Sequence, residues 1–506
     1  MQGKPYQNGS NRIDIIANGE RPVSSTEPVE PPPLYAAREP IFPRRVSGAF
    51  RNLKWALLAV MLGIYYITPW IRWDRGPALP DQAVLVDLAN RRFFFFMIEI
   101  WPHEFYFVAG LLIMAGLGLF LFTSAAGRVW CGYACPQTVW TDLFILVERW
   151  VEGDRNARIR LLRQNWNLEK FRKRITKWVL WLLIAVATGG AWVFYFTDAP
   201  TLAKALLTGT AHPVAYTTIG VMTLTTFGFG GFAREQICIY ACPWPRIQAA
   251  MIDEDTLTIV YREWRGEPRG KLKKGQPITA DQGDCIDCNA CFAVCPMGID
   301  IRNGQQLECI TCGLCIDACN EMMDKVGKPR GLIGYMALKD ENEERAGGHP
   351  RNVWKHIFRP RTLLYFTLWA GIGIGLVVAL FMRSPIDFNV TPNRDPLYVI
   401  QGDGTVRNIY TLRLRNKAGD DTTFRVSIVG ADGKPVEGLG VVLEGQEANT
   451  VTVQPDFTLS QRLYLEAAPG TDLATGDRAN LTLWIEDVGS TDRASAGTVF
   501  NGTSNN

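Results

Sequence analysis

The chain has 506 residues, 47% of them hydrophobic and 20% charged, with a formal net charge of +3. That near-neutral balance leaves no basic footprint for nucleic acid, and the length allows two or three domains with cores of their own. All 12 cysteines fall in short-spaced groups. A secreted disulfide framework spreads its cysteines through a small domain, so this clustering points to metal ligation by thiols kept reduced, on the cytoplasmic side of a membrane.

Residues 1–43 are polar and proline-rich, with Pro31, Pro32 and Pro33 in succession, and lack the apolar core of a cleavable signal. They are expected to form a disordered cytoplasmic tail. Five uncharged stretches follow: Trp55–Ile71, Phe105–Gly127, Trp178–Thr197, Val214–Ala233 and Thr362–Met382. Each approaches or exceeds the length that crosses a bilayer core, and aromatic residues such as Trp70, Trp73 and Tyr195 flank them as interfacial belts do. The fourth is the weakest, being rich in Gly and Thr. Four spans and two short cysteine motifs make a membrane domain over 44–252, and the fifth span lies within 351–383.

Lysine and arginine placement predicts the orientation. Arg44, Arg45, Arg51 and Lys54 precede the first span, and ten basic residues against three acidic ones lie between Arg149 and Lys177. The connection from Asp198 to Pro213 holds one basic residue, Lys204. The positive-inside rule then puts the N-terminus, the 128–177 loop and the 234–361 region in the cytoplasm, with everything after Arg383 outside. Arg91 and Arg92 in the first outer loop dissent mildly. The basic stretch 155–177 is expected to be a solvated, lipid-facing anchor to the bilayer.

Two cysteine runs within 253–350 carry the strongest signal. Cys285, Cys288, Cys291 and Cys295, followed by Pro296, have C-x2-C-x2-C-x3-C spacing; so do Cys309, Cys312, Cys315 and Cys319. This is the bacterial pattern for two [4Fe–4S] clusters, in which the fourth cysteine of each run reaches the other cube. It predicts Cys285, Cys288, Cys291 and Cys319 around one cluster, and Cys309, Cys312, Cys315 and Cys295 around the other. Two zinc sites fit poorly, because zinc takes separated C-x2-C hooks, four ligands per ion. Asn320 stands where the first run has Pro296, and Gly298 and Gly313 are placed to let backbone N–H groups approach cluster sulfur.

The other four cysteines form an internal repeat. Cys131-Gly-Tyr-Ala-Cys135-Pro136 matches Cys238-Ile-Tyr-Ala-Cys242-Pro243, each following an inward-going span. Spacing of four would stack both thiols on one helical face, while the proline predicts that helix ends or restarts there. Buried inert thiols are the bland alternative, which the repetition disfavours. A copper site, a third iron–sulfur centre and a redox dithiol all remain open. Soft thiolates without a neighbouring histidine favour Cu(I), so Cys131, Cys135, Cys238 and Cys242 are the candidate reactive and copper-binding residues. Outside, Glu99, His103 and Glu104 could meet a metal ion or a quinone head group, though an ordinary charged rim is the simpler reading.

Residues 384–506 alternate apolar and polar residues in short runs, such as Tyr410–Asn416, Arg425–Val429, Thr450–Val453, Arg462–Glu466 and Asn480–Glu486. About seven such strands separated by turns predict an immunoglobulin-like β-sandwich with a docking or structural role. The fold class is therefore an α-helical membrane bundle with a two-cluster ferredoxin module and a C-terminal β-sandwich.

This combination resembles the family of cytochrome c oxidase accessory proteins called CcoG, FixG or RdxA, over nearly the whole chain beyond residue 40. The resemblance implies a bacterial inner-membrane protein that supports biogenesis of cbb-type cytochrome c oxidase and reduces Cu(II) to Cu(I). It implies Cys285, Cys288, Cys291, Cys295, Cys309, Cys312, Cys315 and Cys319 as cluster ligands, and oxidase assembly factors or copper chaperones as partners. The sequence shows no nucleotide-binding glycine motif, haem attachment or flavin site, so the electron donor must be a separate cytoplasmic molecule. An electron conduit from the quinone pool and a redox-sensing scaffold are the rival expectations.

Overall fold

The structure is a computed structural model that describes residues 40–504 apart from 77–78, 272–281, 350–352, 384–385, 418–420, 431–433, 447, 456, 491 and the side chain of His103. The expected tail over 1–43 lies almost wholly outside the described residues. Helix α1 (Ala49–Ile67) is followed by a small antiparallel sheet, β1 (Val84–Asp87), β2 (Arg92–Phe95) and β3 (Ile98–Ile100). Then come α2 (Tyr106–Ala126), the short α3 (Val129–Tyr133), α4 (Pro136–Glu152), α5 (Arg155–Arg163) and α6 (Leu168–Val193). Helices α7 (Ala199–Thr208) and α8 (Pro213–Phe227) complete the first half.

Four of the described helices are long and apolar enough to cross a membrane: Ala49–Trp70, Tyr106–Ala126, Leu168–Val193 and Pro360–Phe381, the last labelled α12 below. The second exposes Leu111, Leu112 and Ile113 and the last Phe366, Leu368 and Ile374, apolar surface that suits lipid. The stretch 214–233 differs from a continuous span. Its α-helix α8 has 15 residues and then widens into a π-helical turn at Gly228–Phe232, where Ala233 N–H donates to the Gly228 carbonyl at 3.0 Å. Gly230 and Gly231 in that turn lie against the rings of Phe144 and Trp181, which leave no room for a side chain. Trp181 in turn stacks on Phe144 with centroids 5.3 Å apart, fastening α4 to α6.

The basic segment 155–177 is not uniformly solvated, contrary to expectation. Arg158, Lys170 and Lys177 are buried. Arg158 pairs with Glu148, Lys177 reaches Glu152 at 2.9 Å and Glu148 at 3.6 Å, and Arg174 reaches Glu152 at 3.2 Å. A buried cation needs a nearby anion, and Glu148 and Glu152 on α4 supply it. Asp142 on the same helix binds Lys54 at 3.0 Å and Arg51 at 3.2 Å, tying α4 to α1.

Next along the chain are α9 (Trp244–Met251), β4 (Thr258–Tyr261), α10 (Ala290–Val294), α11 (Leu314–Val326) and β5 (Ile333–Met336). Strands β4 and β5 pair antiparallel, Thr258 opposite Met336 and Tyr261 opposite Ile333. Ile259, Ile316, Met323, Leu332 and Ile333 pack beneath them in one core that includes Cys285, Cys291 and Cys319. Asp317 on α11 accepts the backbone N–H of Arg51 at 2.8 Å, capping α1 from another domain and docking the module on the membrane helices.

After α12 (Pro360–Phe381) the chain forms nine described strands, where about seven were expected. They are β6 (Ile386–Pro392), β7 (Val399–Ile400), β8 (Val406–Asn416), β9 (Thr422–Gly430), β10 (Leu439–Leu443), β11 (Thr450–Val453), β12 (Thr458–Ala467), β13 (Arg478–Asp487) and β14 (Arg493–Asn501). One sheet runs β10-β12-β8-β6 with β7 on β8; the other runs β11-β9-β13-β14. Tyr410, Leu412, Leu414, Leu463, Leu465, Leu483 and Ile485 fill the space between them, the inward half of each alternating strand. The two-residue β7 is too short to show an alternation in sequence.

Candidate functional site

Each cysteine run folds as a loop followed by a helix, and the two loops share unusual backbone geometry. Asp287 and Asn289 in the first have φ of 49° and 57°; Thr311 and Gly313, at the equivalent places in the second, have φ of 48° and 74°. Such left-handed residues curl consecutive N–H groups inward, a nest suited to an anionic cluster. Three of the four carry side chains, so the strain is held by the surrounding fold.

Two cavities lie inside these loops. One is lined by Cys285, Cys288, Cys291 and Cys319 with Ile286, Tyr261 and Leu332. The other is lined by Cys291, Cys295, Cys309, Cys312 and Cys315, together with Ile310 and Leu314. The fold thus brings Cys319 to the cavity of the first run and Cys295 to that of the second. Burial pushes the thiols of Cys291, Cys295 and Cys319 up to about 12 and that of Cys309 to about 11. Thiols in that state are protonated at neutral pH, so metal must displace protons to bind, as it does at thiolate sites. Eight thiols around two apolar cavities fit two [4Fe–4S] clusters, and the protein carries them. The cavities share Cys291, so the clusters are neighbours.

Their surroundings differ. Cys288 is exposed, whereas Cys312 is buried. Arg302 sits beside the first loop, bonded to Asp287 at 2.7 Å and to Asp300. Asn320, where proline stands in the first run, has a local reason. Cys319 lies inside α11, so the residue after it continues a helix, and the Asn320 amide oxygen accepts Gly331 N–H at 3.0 Å. Cys295 instead closes α10 in an extended conformation, which its proline favours.

The four remaining cysteines are not stacked on helical faces. Cys131 lies in α3, but Cys135 has φ −61° and ψ 129° and caps α4. Cys238 lies in a π-helical turn at Ile237–Ala241, and Cys242 is extended, with φ −78° and ψ 125°. The proline after each second cysteine forces this break, as the motif predicted, and it removes the spacing of a continuous helix. Both turns reach the ferredoxin module: Cys131, Cys238 and Ile239 pack on the core formed by Val294, Met297, Ile310 and Cys312. At Gly132 a side chain would stand 2.5 Å from the Ile310 carbonyl oxygen and 3.3 Å from Cys312 Cβ, so glycine permits the approach. Tyr133 donates its hydroxyl to the Cys312 carbonyl at 2.9 Å. Nothing in the motif spacing signalled Gly132 or Tyr133 as the joint between domains.

The outer acidic group has another use. Glu104 is buried, accepts the Trp101 N–H at 3.1 Å and takes two bonds from Arg383 at 2.9 and 2.8 Å. Arg415 of β8 lies over the Trp101 ring, 3.6 Å from its centroid, and Glu99 pairs with Arg92 at 3.3 Å. Through Arg415 and Arg383 the sandwich and the segment leading into it are joined to the start of α2; the His103 side chain lies outside the described residues.

Residues 233–338 match a family described as a 4Fe-4S dicluster domain, and 107–155 match one described as a 4Fe-4S binding domain. Residues 376–503 match an IG-like fold at the C-terminus of FixG, a description that adds "putative oxidoreductase" for FixG. Protein RdxB of Cereibacter sphaeroides is 70% identical over 93% of this chain and 98% of its own length. Protein RdxA of the same organism is 63% identical over 90% and 95%. Nitrogen fixation protein FixG of Rhizobium meliloti is 53% identical over 88% and 91%.

Proposed function

The chain belongs to the FixG/RdxA family of membrane iron–sulfur electron-transfer proteins, and from that membership we propose that it is a cupric reductase serving biogenesis of cbb-type cytochrome c oxidase. Cys285, Cys288, Cys291 and Cys319 hold one cluster, and Cys295, Cys309, Cys312 and Cys315 hold the other. When bound, the clusters supply one-electron carriers at adjacent positions. The exposed Cys288 marks the face where a cytoplasmic one-electron donor docks, and Arg302, paired with Asp287 and Asp300, holds that loop in shape. The buried loop around Cys312 faces the membrane-edge thiols. There Cu(II) takes up one electron and leaves as Cu(I), the form soft thiolates favour and a copper chaperone accepts.

One observation carries this reading: Gly132, between Cys131 and Cys135, abuts the Cys312 loop with no side chain intervening. The test uses anaerobically purified full-length protein reduced with dithionite, with Cu(I) trapped by a chromogenic chelator. The Cys131/Cys135/Cys238/Cys242 quadruple Ser variant should reduce Cu(II) at least about tenfold more slowly, a transition-state loss of about 1.4 kcal/mol. Equal rates overturn the reading. Oxidation of the reduced protein by a quinone and not by Cu(II) would assign it to quinone-linked transfer.

The topology proposed with this function has five crossings in the bacterial inner membrane. Helix α8 and its π-helical extension, together Pro213–Phe232, make the fourth. The ferredoxin module is then cytoplasmic and the sandwich periplasmic, placed to meet oxidase assembly factors. Protease added to spheroplasts should remove the sandwich and spare the cluster cysteines; loss of the clusters first would reverse the orientation.

A further inference from the structure

We propose that Cys131, Cys135, Cys238 and Cys242 together ligate a third iron–sulfur centre, a [4Fe–4S] cluster shared by the two C-x3-C-P turns. Neither turn is then a metal site alone. The inference deepens the proposed function, since it names the group through which electrons leave the ferredoxin module.

The fold sets the two turns side by side. Gln137, two residues beyond Cys135, donates its amide to the Arg234 carbonyl at 3.2 Å and to the Phe229 carbonyl at 2.9 Å, just ahead of Cys238. Arg234 pairs with Glu148 of α4, holding the same two segments from the other end. Cys131 and Cys238 pack on one face of the ferredoxin core. Cys131, Cys135, Cys238 and Cys242 all lie within electrostatic reach of one another. Four thiols in mutual Coulombic range, two from each turn, form one group.

Their spacing and chemistry select the occupant. A single zinc ion binds sulfur at about 2.3 Å, so its ligand sulfurs crowd within about 4 Å of each other. Among the described residues no three His, Cys, Asp or Glu side chains are arranged that closely. The eight ferredoxin cysteines share that property, because a cube carries its ligands on separate irons. Thiols not gathered round one point leave room for a cube, which takes each ligand on its own iron. Cluster-binding similarity covers 107–155, yet that stretch contains only Cys131 and Cys135, half the thiolates a cube requires. Cys238 and Cys242 supply the rest.

Two neighbours suit an anionic centre. Arg128 lies within electrostatic reach of Cys131, a cation beside that thiol. Gln248, itself buried, has Oε1 3.2 Å from Cys131 Sγ and Nε2 3.2 Å from Thr123 Oγ1. A turn of that amide presents N–H to sulfur, the bond that a ligated thiolate accepts. With the centre in place, one electron arriving from the reduced ferredoxin module and leaving to Cu(II) restores its starting state without proton transfer.

The test counts iron and acid-labile sulfide in the full-length protein purified anaerobically in detergent, with Mössbauer spectra. The expected content is about twelve irons per chain against about eight for the ferredoxin module alone. Cys131→Ser and Cys238→Ser should each lose about four irons, and the double variant no more, while the ferredoxin resonances persist and report a folded chain. About eight irons in fully loaded wild type overturns the inference, as does a double variant whose loss is the sum of two separate losses. Copper bound at the four thiols in place of iron overturns it too, yet leaves the cupric reductase reading standing. Twelve irons with no thiol-dependent Cu(II) reduction sinks that reading and keeps the centre.

Discussion

In the ferredoxin module each cysteine run curls around its own cavity and trades one ligand with its twin: Cys319 goes to the first and Cys295 to the second. At the membrane edge each turn offers only two thiols, so the proposed third centre needs both turns. The first arrangement rests on local backbone, in left-handed residues at Asp287, Asn289, Thr311 and Gly313. The second rests on helix packing, through α4, α6 and the π-helical turns. A doubled motif can therefore mean two sites or one, and what decides is whether the loop closes on itself or on its repeat.

The largest expected effect tests the traded ligand. Cys295→Ser should remove the second cluster, although Cys295 belongs to the first run, and Cys319→Ser should remove the first. Each costs about four irons per chain, read by metal count and by which paramagnetic signal disappears. A Cys295→Ser protein that keeps the Cys309–Cys315 cluster breaks the comparison at its root. Next in size is Asp142→Asn, which leaves Lys54 and Arg51 without their buried anion, a loss of about 3–5 kcal/mol. Because α4 positions Cys135, thermal melting in detergent should show the membrane thiols becoming accessible to alkylation first, with cluster absorbance retained. Simultaneous loss would mean the two regions are not independently supported.

Gly132→Ala sharpens the contact between them. A methyl group 2.5 Å from the Ile310 carbonyl forces the turn away from Cys312, an overpacking cost of about 1–3 kcal/mol. Cluster content should persist while Cu(II) reduction slows, measured by stopped flow; an unchanged rate would show that electrons leave elsewhere. The smallest effect concerns Asp253, which joins the stretch before β4 to the start of α12. Partial burial raises its pKa, but bonds from Arg359, Thr256 and Arg361 more than offset this and hold it near about 2. Its folded pKa lies below the unfolded value of about 3.9, so its stabilisation is present above about pH 4 and fades as pH falls through about 2. The side chain is about a third exposed and so partly screened by solvent, and Asp253→Asn should cost only about 1 kcal/mol or less. Acid titration of melting temperature should flatten slightly in that variant; a steeper profile would contradict the sign.

Much was readable from residue order because the physics involved is local. C-x2-C-x2-C-x3-C spacing dictates a loop that can wrap a cube, uncharged runs dictate helices that face lipid, and alternation over 410–486 dictates strands. Proline after Cys135 and Cys242 dictated a helix break at both turns. The three-stranded sheet β1–β3 escaped notice, since its strands are only three or four residues long. Other features depend on residues distant in the chain. The buried cations Arg158 and Lys177 look like a solvated charge run until α4 brings Glu148 and Glu152 beside them. Glu104 looks like a ligand until Arg383 reaches it from the far end of α12. Likewise Cys131 and Cys238 are separated by helices α4 to α8, and only the packing of α4, α6 and α8 brings both onto one face of the ferredoxin core. Residue order determined which atoms can bind metal; tertiary structure decided which of them bind it together, because ligation depends on distance in space and spacing along a chain controls that only within a turn or two.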